Sequence, residues 1–459
     1  MSYEFEAFEN VDNRYPSSTA NAIPVVFVEG FLGPGVPEYW GPLEHIFAGN
    51  EEKSIKARRC IFVKPGCGSS LHDRAVEIFY QLKGGRASVG LLTQVDYGEA
   101  HAKEFGHVQY GRKYDGLYPE WSVEKPLHFI GHSLGGNTLW KLQQLLAAKD
   151  FFPSQFTPHP DMMCSLTTVS APLRGSQSVY ILGSRHDAPG RVRPFSFGCW
   201  LARCVHLYEY FDIKWLKNKF YDFNVDHWGF SCRNNKNIEI ADENEVDELK
   251  IETKQEETTQ RKYGLWRCLL ESPWLYSKDN APYDMTIHAM KELNETSRMF
   301  SNTFYRSYVA SMTREDLQTQ YHYPQFSFSF QLPIYVLSRQ IGRYQFPSSL
   351  TIPPSELSEW YENDGVCPVI SQRHPRPCAS GYCFHHQGLP PVDGSGKAKP
   401  RTGVWEVWEI KEADHFSLVP TWKGTEMQQR FYEGYRKHLD NIDDLIHDGS
   451  VKTSKHETG

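Results

Sequence analysis

The chain has 459 residues, 40% of them hydrophobic, with a formal net charge of −7 and a pI near 6.3. This exceeds the roughly 250 to 300 residues at which single cores stop growing, so one elaborated domain or two domains are expected. The acidic balance and the lack of a dense basic run exclude a nucleic-acid partner, and no apolar stretch reaches the roughly 18 residues of a membrane-spanning helix. The opening MSYEFEAFENVDNRYPSS has neither the basic nor the apolar region of a secretory signal, so a cytoplasmic setting with reduced thiols is expected.

Residues 1–22 read as an N-terminal extension and 23–440 as the folded domain. Ile23 to Glu29 (IPVVFVE) suits a buried parallel strand and is followed by the loop Gly30-Phe31-Leu32-Gly33-Pro34-Gly35. Ile61-Phe62-Val63 is a second strand. Asp73 to Leu82 is an amphipathic helix that turns Ala75, Ile78, Phe79 and Leu82 inward. The glycine- and histidine-rich stretch VDYGEAHAKEFGHVQYGRKYDG reads as a loop. Its His101 and His107 stand six apart, which is not a one-face helical spacing, so on the residues alone they are loop histidines.

The strongest local signal lies between Leu127 and Lys149. Gly131-His132-Ser133-Leu134-Gly135 fits G-x-S-x-G between an apolar strand, Leu127 to Ile130, and a helical repeat of Leu139, Leu142 and Leu146. A nucleophilic serine needs that strand-turn-helix context, because glycines two before and two after it make room for a sharp, strained turn. An ordinary glycine-rich turn is the plainer reading, and the flanking periodicity favours the nucleophile. The backbone N–H groups of Phe31 and Leu134 are then the expected oxyanion donors.

Ser165 to Ser170 is a β-branched strand. Over 176–220, Trp200, Cys204, Leu207, Tyr208, Phe211 and Trp215 recur at helical intervals, a stripe that is either core or the inner face of a lid over an apolar site. Residues 233–262 form a polar, acid-rich insertion expected to be disordered. Thr303 to Ser311 and Val404 to Ile410 read as strands, and Leu337 to Trp360 as mostly loop. Residues 373–402 read as a long surface loop and 441–459 as a flexible tail after the helix Met427 to Leu439. Cys378 and Cys383 are close enough for a local disulfide or half a metal site, but the spacing matches no recognised ligand pattern, so free thiols are favoured.

Acyl transfer by serine requires a base and an acid that orients it, in the chain order serine, acid, histidine for an α/β-hydrolase. Ser133, Asp364 in the turn Glu362-Asn363-Asp364-Gly365, and His415 satisfy that order. Asp414 is a weaker alternative acid, since neighbouring loop residues seldom make that hydrogen bond.

With these motifs in place, the chain resembles the thermoalkaliphilic bacterial lipases of the Geobacillus and staphylococcal type, discontinuously from about residue 23 to about 420. The resemblance rests on Asp73-Arg74-Ala75, Asp96-Tyr97-Gly98 through His101, Gly106-His107, Gly111-Arg112, the Gly131–Gly136 elbow, Tyr221-Asp222-Phe223, Trp228-Gly229, Tyr283-Asp284, Glu362–Gly365 and Asp414-His415. It implies an α/β-hydrolase fold with a helical lid, a Ser133–Asp364–His415 triad, a lipid or ester substrate and transient contact with a lipid interface. It also implies a structural Zn²⁺ held by Asp73, His101, His107 and Asp284, which would tie the histidine loop to a later insertion. Two departures stand out. Glu29 replaces the histidine that usually precedes Gly-Phe and places a carboxylate near the developing oxyanion. Ser417 and Pro420-Thr421-Trp422 replace the family's calcium ligands, so calcium is not expected. The rival reading is a lipid-binding protein that keeps this fold with little turnover; a zinc hydrolase would need an open metal position and a nearby base.

Overall fold

The computed structural model describes residues 22–41, 43–48, 57–84, 98–105, 114–211, 223, 274–325, 332–350, 352–389, 399–419 and 425–448. His107, Trp215, the insertion 233–262, residues 1–21 and residues 449–459 lie outside the described residues, as do the motifs at 96–97, 106–112, 221–222 and 228–229.

The apolar, β-branched and aromatic runs form strands β1 (Val25–Val28), β2 (Cys60–Val63), β3 (Leu127–His132), β4 (Met163–Val169) and β5 (Phe304–Ser311). After the short hairpin β6 (Thr313–Glu315) and β7 (His322–Pro324) come β8 (Cys383–Gln387) and β9 (Trp405–Lys411). Seven of these make one sheet in the order β2-β1-β3-β4-β5-β9-β8, and every pairing within it is parallel. Such a sheet must be covered on both faces, which explains runs of buried residues in place of alternation.

The helices are α1 (Glu44–Phe47), α2 (Leu71–Lys83), α3 (Glu99–Phe105), α4 (Leu134–Leu146), α5 (Ser178–Leu182) and α6 (Phe197–Phe211). They continue as α7 (Ala281–Asp284), α8 (Ile287–Thr296), α9 (Leu332–Ile341), α10 (Leu357–Tyr361), α11 (Val369–Arg373) and α12 (Glu426–His447). Val26, Val28, Leu127 and Phe129 face one side of the sheet and pack with Ala75, Phe79 and Leu82 of α2 and Leu139 and Leu142 of α4. Val25, Phe27 and Ile130 point the other way, toward Phe431, Tyr435 and Leu439 of α12. This two-sided parallel sheet is the α/β-hydrolase architecture.

Three expectations are corrected. His101 sits on the helix α3 where a loop was expected. The stretch 373–402 contains β8, an edge strand whose polar, half-buried sequence CFHHQ carries no apolar signal. The tail boundary at 440 is too early, because α12 runs on to His447 and buries Ile442 and Asp443. The reason for that last extension is a buried polar cluster. Asp443 accepts from Arg58 (2.8 Å), His128 (2.8 Å) and the Ile23 N–H (3.2 Å), tying the helix end to β3 and to the chain just before β1.

Candidate active site

Ser133 stands at the end of β3 with φ 52° and ψ −129°, and α4 begins at the next residue. A positive φ is costly for a non-glycine residue and persists only where the surroundings enforce it. Here α4 is pressed against β1: a Cβ at position 135 would lie 2.2 Å from the Val28 carbonyl oxygen, so only glycine permits the approach. The Ser133 N–H donates to Val169 O at 2.8 Å, fixing the turn to β4.

Asp364 and His415 come from two later loops. Asp364 is fully buried, and its Oδ1 accepts from the N–H groups of Val366 (2.9 Å) and Cys367 (2.7 Å). Its Oδ2 takes the His415 Nδ1–H at 2.8 Å, and the His415 N–H donates to the Asp364 carbonyl at 2.8 Å. With Nδ1–H committed to the carboxylate, Nε2 is the nitrogen left to accept a proton. Gly365, at φ 100°, supplies the turn that lets successive amides converge on Asp364. Asp414 is occupied differently: its Oδ1 accepts from Phe416 N–H (3.0 Å) and Ser417 Oγ–H (2.9 Å), shaping the turn that carries His415.

Ser133 and His415 line one cavity of about 250 Å³ together with Phe31, Leu182, Phe197, Leu201, Val205 and Trp274. Its walls are almost wholly apolar. Leu134 opens α4, so its N–H has no intrahelical partner, and Phe31 packs with it in one apolar cluster. Gly30 lies directly against Ser133, since a Cβ there would fall 2.8 Å from the serine Cβ.

Glu29 corrects an expectation. Its carboxylate lines no part of the cavity and instead accepts from Gly35 N–H (2.7 Å) and Val36 N–H (2.9 Å), holding the Phe31 loop closed. Burial pushes its pKa up to about 7, against the lowering effect of those two amides. A folded-state value above the ordinary 4.5 means that stability is greatest below that value and falls as pH rises toward 7. Urea unfolding across this window is expected to show a loss of up to about 3 kcal/mol in the wild type that Glu29→Gln lacks. Equal slopes in the two proteins would refute it.

Two further residues carried no separate signal in the sequence. His132 Nε2–H donates to the His415 carbonyl (2.9 Å), so its Nδ1 accepts the Tyr39 O–H (2.5 Å). Burial, reinforced by His415 nearby, keeps His132 well below the usual imidazole range and therefore neutral. It positions the backbone of the His415 loop.

Helix α6 has two apolar faces. Leu201, Ala202 and Val205 look into the cavity, Phe197 lines it while staying 56% exposed, and Phe195 just before the helix (95% exposed), Trp200 (60%) and Phe211 (51%) face solvent. Of the stripe seen in the sequence, Trp200, Leu207 and Phe211 form the outer face, and Trp215 lies outside the described residues.

Behind the elbow lies an acidic cluster. His101 Nε2 is 3.2 Å from Asp73 Oδ1 and 3.2 Å from Asp279 Oδ1, and the His72 ring stacks on it with centroids 3.9 Å apart. Burial opposes charge on His101, but the hydrogen bonds it donates to Asp279 and Asp73 outweigh it and hold the imidazole at about 9. Asp284, which accepts the Leu71 N–H at 2.6 Å, is raised to about 7 by desolvation, with Asp279 and Asp73 pushing the same way. His72, Asp73 and His101 each offer a ligand atom within 4.8 Å of the others, a donor set that suits a dication, with the Asp279 and Asp284 carboxylates beside it. Of the expected ligands, the structure joins Asp73 and His101 and brings Asp284 within their electrostatic reach. Asp279 was missed, although it stands five residues before Asp284.

The parallel sheet, the strained serine at its edge and the buried Asp–His pair place the protein in the α/β-hydrolase class. Residues 21–456 match the family model "Lipase-like, C-terminal domain", and the chain belongs to that family. It is 29% identical over 431 residues to Lipase 2 of Staphylococcus aureus (strain MRSA252), covering 87% of this chain and 50% of that protein. To Lipase 1 of S. aureus (strain NCTC 8325 / PS 47) it is 28% identical over 421 residues, covering 87% and 51%. The chain thus spans about half the length of these curated relatives. Among solved structures it resembles EstA from Clostridium botulinum, with 25% identity, a TM-score of 0.63 and coverage of 92% and 88%. Staphylococcus hyicus lipase shares the fold, with 22% identity, a TM-score of 0.64 and coverage of 96% and 100%.

Proposed function

We propose that this chain hydrolyses carboxylic esters of lipids through an acyl-Ser133 intermediate. The observation that carries the reading is the Asp364–His415 pair opening into the same apolar cavity as the strained Ser133. His415 Nε2 takes the Ser133 proton as Oγ attacks the ester carbonyl, and Asp364 stabilises the imidazolium without accepting a proton. The N–H groups of Phe31 and Leu134 hold the oxyanion, and the start of α4 adds its favourable dipole. His415 then protonates the leaving alcohol, and water attacks the acyl-serine by the same steps in reverse roles. The cavity takes the acyl chain.

The lipid preference rests on α6. A helix that covers an apolar cavity with one face and, with Phe195 just before it, shows Trp200 and Phe211 to water on the other suits a lid that opens against a lipid surface. The double variant Trp200→Ser/Phe211→Ser is expected to lose roughly tenfold turnover on an emulsified long-chain ester, equivalent to about 1.4 kcal/mol of surface binding, and to keep its rate on a soluble short-chain ester. Equal losses on both substrates would remove the interfacial role. The rival reading of a lipid binder without turnover draws on Glu29 and the aromatic stripe; the Glu29 carboxylate is directed into its own loop, so that part of its support falls away, and fluorophosphonate labelling of Ser133 separates the two readings.

For the acidic cluster we infer a structural Zn²⁺ held by Asp73, His101 and Asp284, with His107 as the fourth ligand that the family resemblance supplies. Bound there, the ion supplies no step of the reaction; it neutralises the carboxylates and ties α3 to α2 and α7.

A further inference from the structure

A second cluster of metal-ligating side chains lies at the opposite edge of the sheet, away from Asp73 and His101. His374, Cys378, Cys383 and His385 each offer one ligand atom, and these four atoms lie within 4.8 Å of one another. His374 Nε2 is 3.2 Å from Cys378 Sγ, and His385 Nε2 is 3.4 Å from the same sulfur. A tetrahedral Zn²⁺ with its usual bond lengths separates its ligands by about 3.3 to 3.8 Å, so the side chains need little rearrangement to close around an ion.

The local structure explains how a spacing with no familiar pattern converges. His374 is the first residue after α11, in extended backbone. The chain then turns tightly between the two cysteines, with Tyr382 N–H donating to Ala379 O at 3.0 Å and Gly381 at φ 78°. Strand β8 follows, and its period of two puts Cys383 and His385 on one side of the sheet edge.

Both imidazoles are oriented from behind. His374 Nδ1 engages the Arg376 carbonyl, and His385 Nδ1 lies 3.6 Å from Glu409 Oε1, a carboxylate also bound by Arg373 Nε at 2.7 Å. For His374, an Nδ1–H committed to that carbonyl leaves Nε2 as the lone-pair donor, the arrangement that steadies histidine ligands in metal sites, and the Glu409 carboxylate near Nδ1 favours the same tautomer in His385. Neither cysteine is needed for the ester chemistry, and the cluster shares no residue with the Asp73 group.

We propose that His374, Cys378, Cys383 and His385 bind a second zinc ion in a closed Cys₂His₂ shell. The ion clamps the edge strand β8 to the end of α11, the helix that follows the loop bearing Asp364. It thereby stabilises the acid-and-base half of the site from outside, in a segment where the sequence alone suggests free thiols on a surface loop.

The test uses the full chain. Loaded with Co²⁺, the wild type is expected to show a thiolate-to-cobalt charge-transfer band in the near ultraviolet with tetrahedral d–d bands in the visible. His101→Ala retains these bands, because the Asp73 cluster contributes no sulfur, and Cys378→Ser loses them. Zinc measured on protein purified from zinc-supplemented cells is expected to fall by one equivalent in Cys378→Ser. Cys378 is exposed, so that variant is expected to fold, and the wild-type spectrum decides the matter even if it does not. Absence of the thiolate band with equal zinc in the two proteins would overturn the site, as would a Cys378–Cys383 disulfide in the chain purified under reducing cytosolic conditions. Neither result bears on the Asp73 cluster, whose zinc is read separately in His101→Ala.

Discussion

Ser133→Ala is expected to lower turnover of p-nitrophenyl esters by about 10,000-fold or more and to abolish labelling by a fluorophosphonate, while the unfolding temperature stays close to that of the wild type. The reason is that the residue supplies the bond-forming oxygen itself, and members of such a triad act as a unit. Asp364→Asn tests the other end of the relay. The amide cannot accept the Nδ1–H in the same way, so His415 is left in the wrong tautomer, and a loss of about 10,000-fold in kcat is expected with KM little changed. Both variants keep the shape of the elbow, because Ser133 is fixed through its backbone N–H and Asp364 partly through its carbonyl. Wild-type turnover in Ser133→Ala would end the covalent reading outright.

The second large effect concerns the acidic cluster. His101→Ala is expected to lose one equivalent of zinc and to unfold roughly 5 to 10 °C lower than the wild type. Removing the imidazole takes away one partner of Asp73 and of Asp279 with Asp284 close by, and breaking a buried ion pair costs about 3 to 5 kcal/mol. Turnover at low temperature should be largely kept, since the cluster lies outside the cavity lined by Ser133 and His415. Metal removal should likewise abolish activity only as fast as the protein unfolds. An immediate loss of turnover on chelation, with circular dichroism unchanged, would overturn the structural assignment and point to a metal-dependent hydrolase.

These outcomes depend on features that were unequally legible in the sequence. The strands of the sheet were readable because a parallel sheet buried on both faces demands short apolar runs: VVFV, CIFV and FYRSYVAS declare themselves. The elbow was readable because its glycines answer a local steric demand. Asp364 and His415 were readable by order and by their positions beside turns.

The remainder depended on contacts between distant segments. Strand β8 is an edge strand stabilised by its pairing with β9, so its polar residues gave no periodic signal. The long α12 reads as a fraying tail until Asp443 is seen to meet Arg58 and His128 from opposite ends of the chain. Asp279 joins His101 only because the turn before α7 folds against α3. Glu29 looked like a threat to the oxyanion, and its orientation toward Gly35 and Val36 was decided by the loop's need to satisfy two buried N–H groups. The sequence by itself determined the α/β class, the serine and the order of its partners, since each follows from local sterics or local hydrophobicity. The tertiary structure alone decided which charges meet, which face of α6 is wet, and that two cysteines and two histidines flanking a turn converge, because those facts depend on separations in space that chain spacing does not encode.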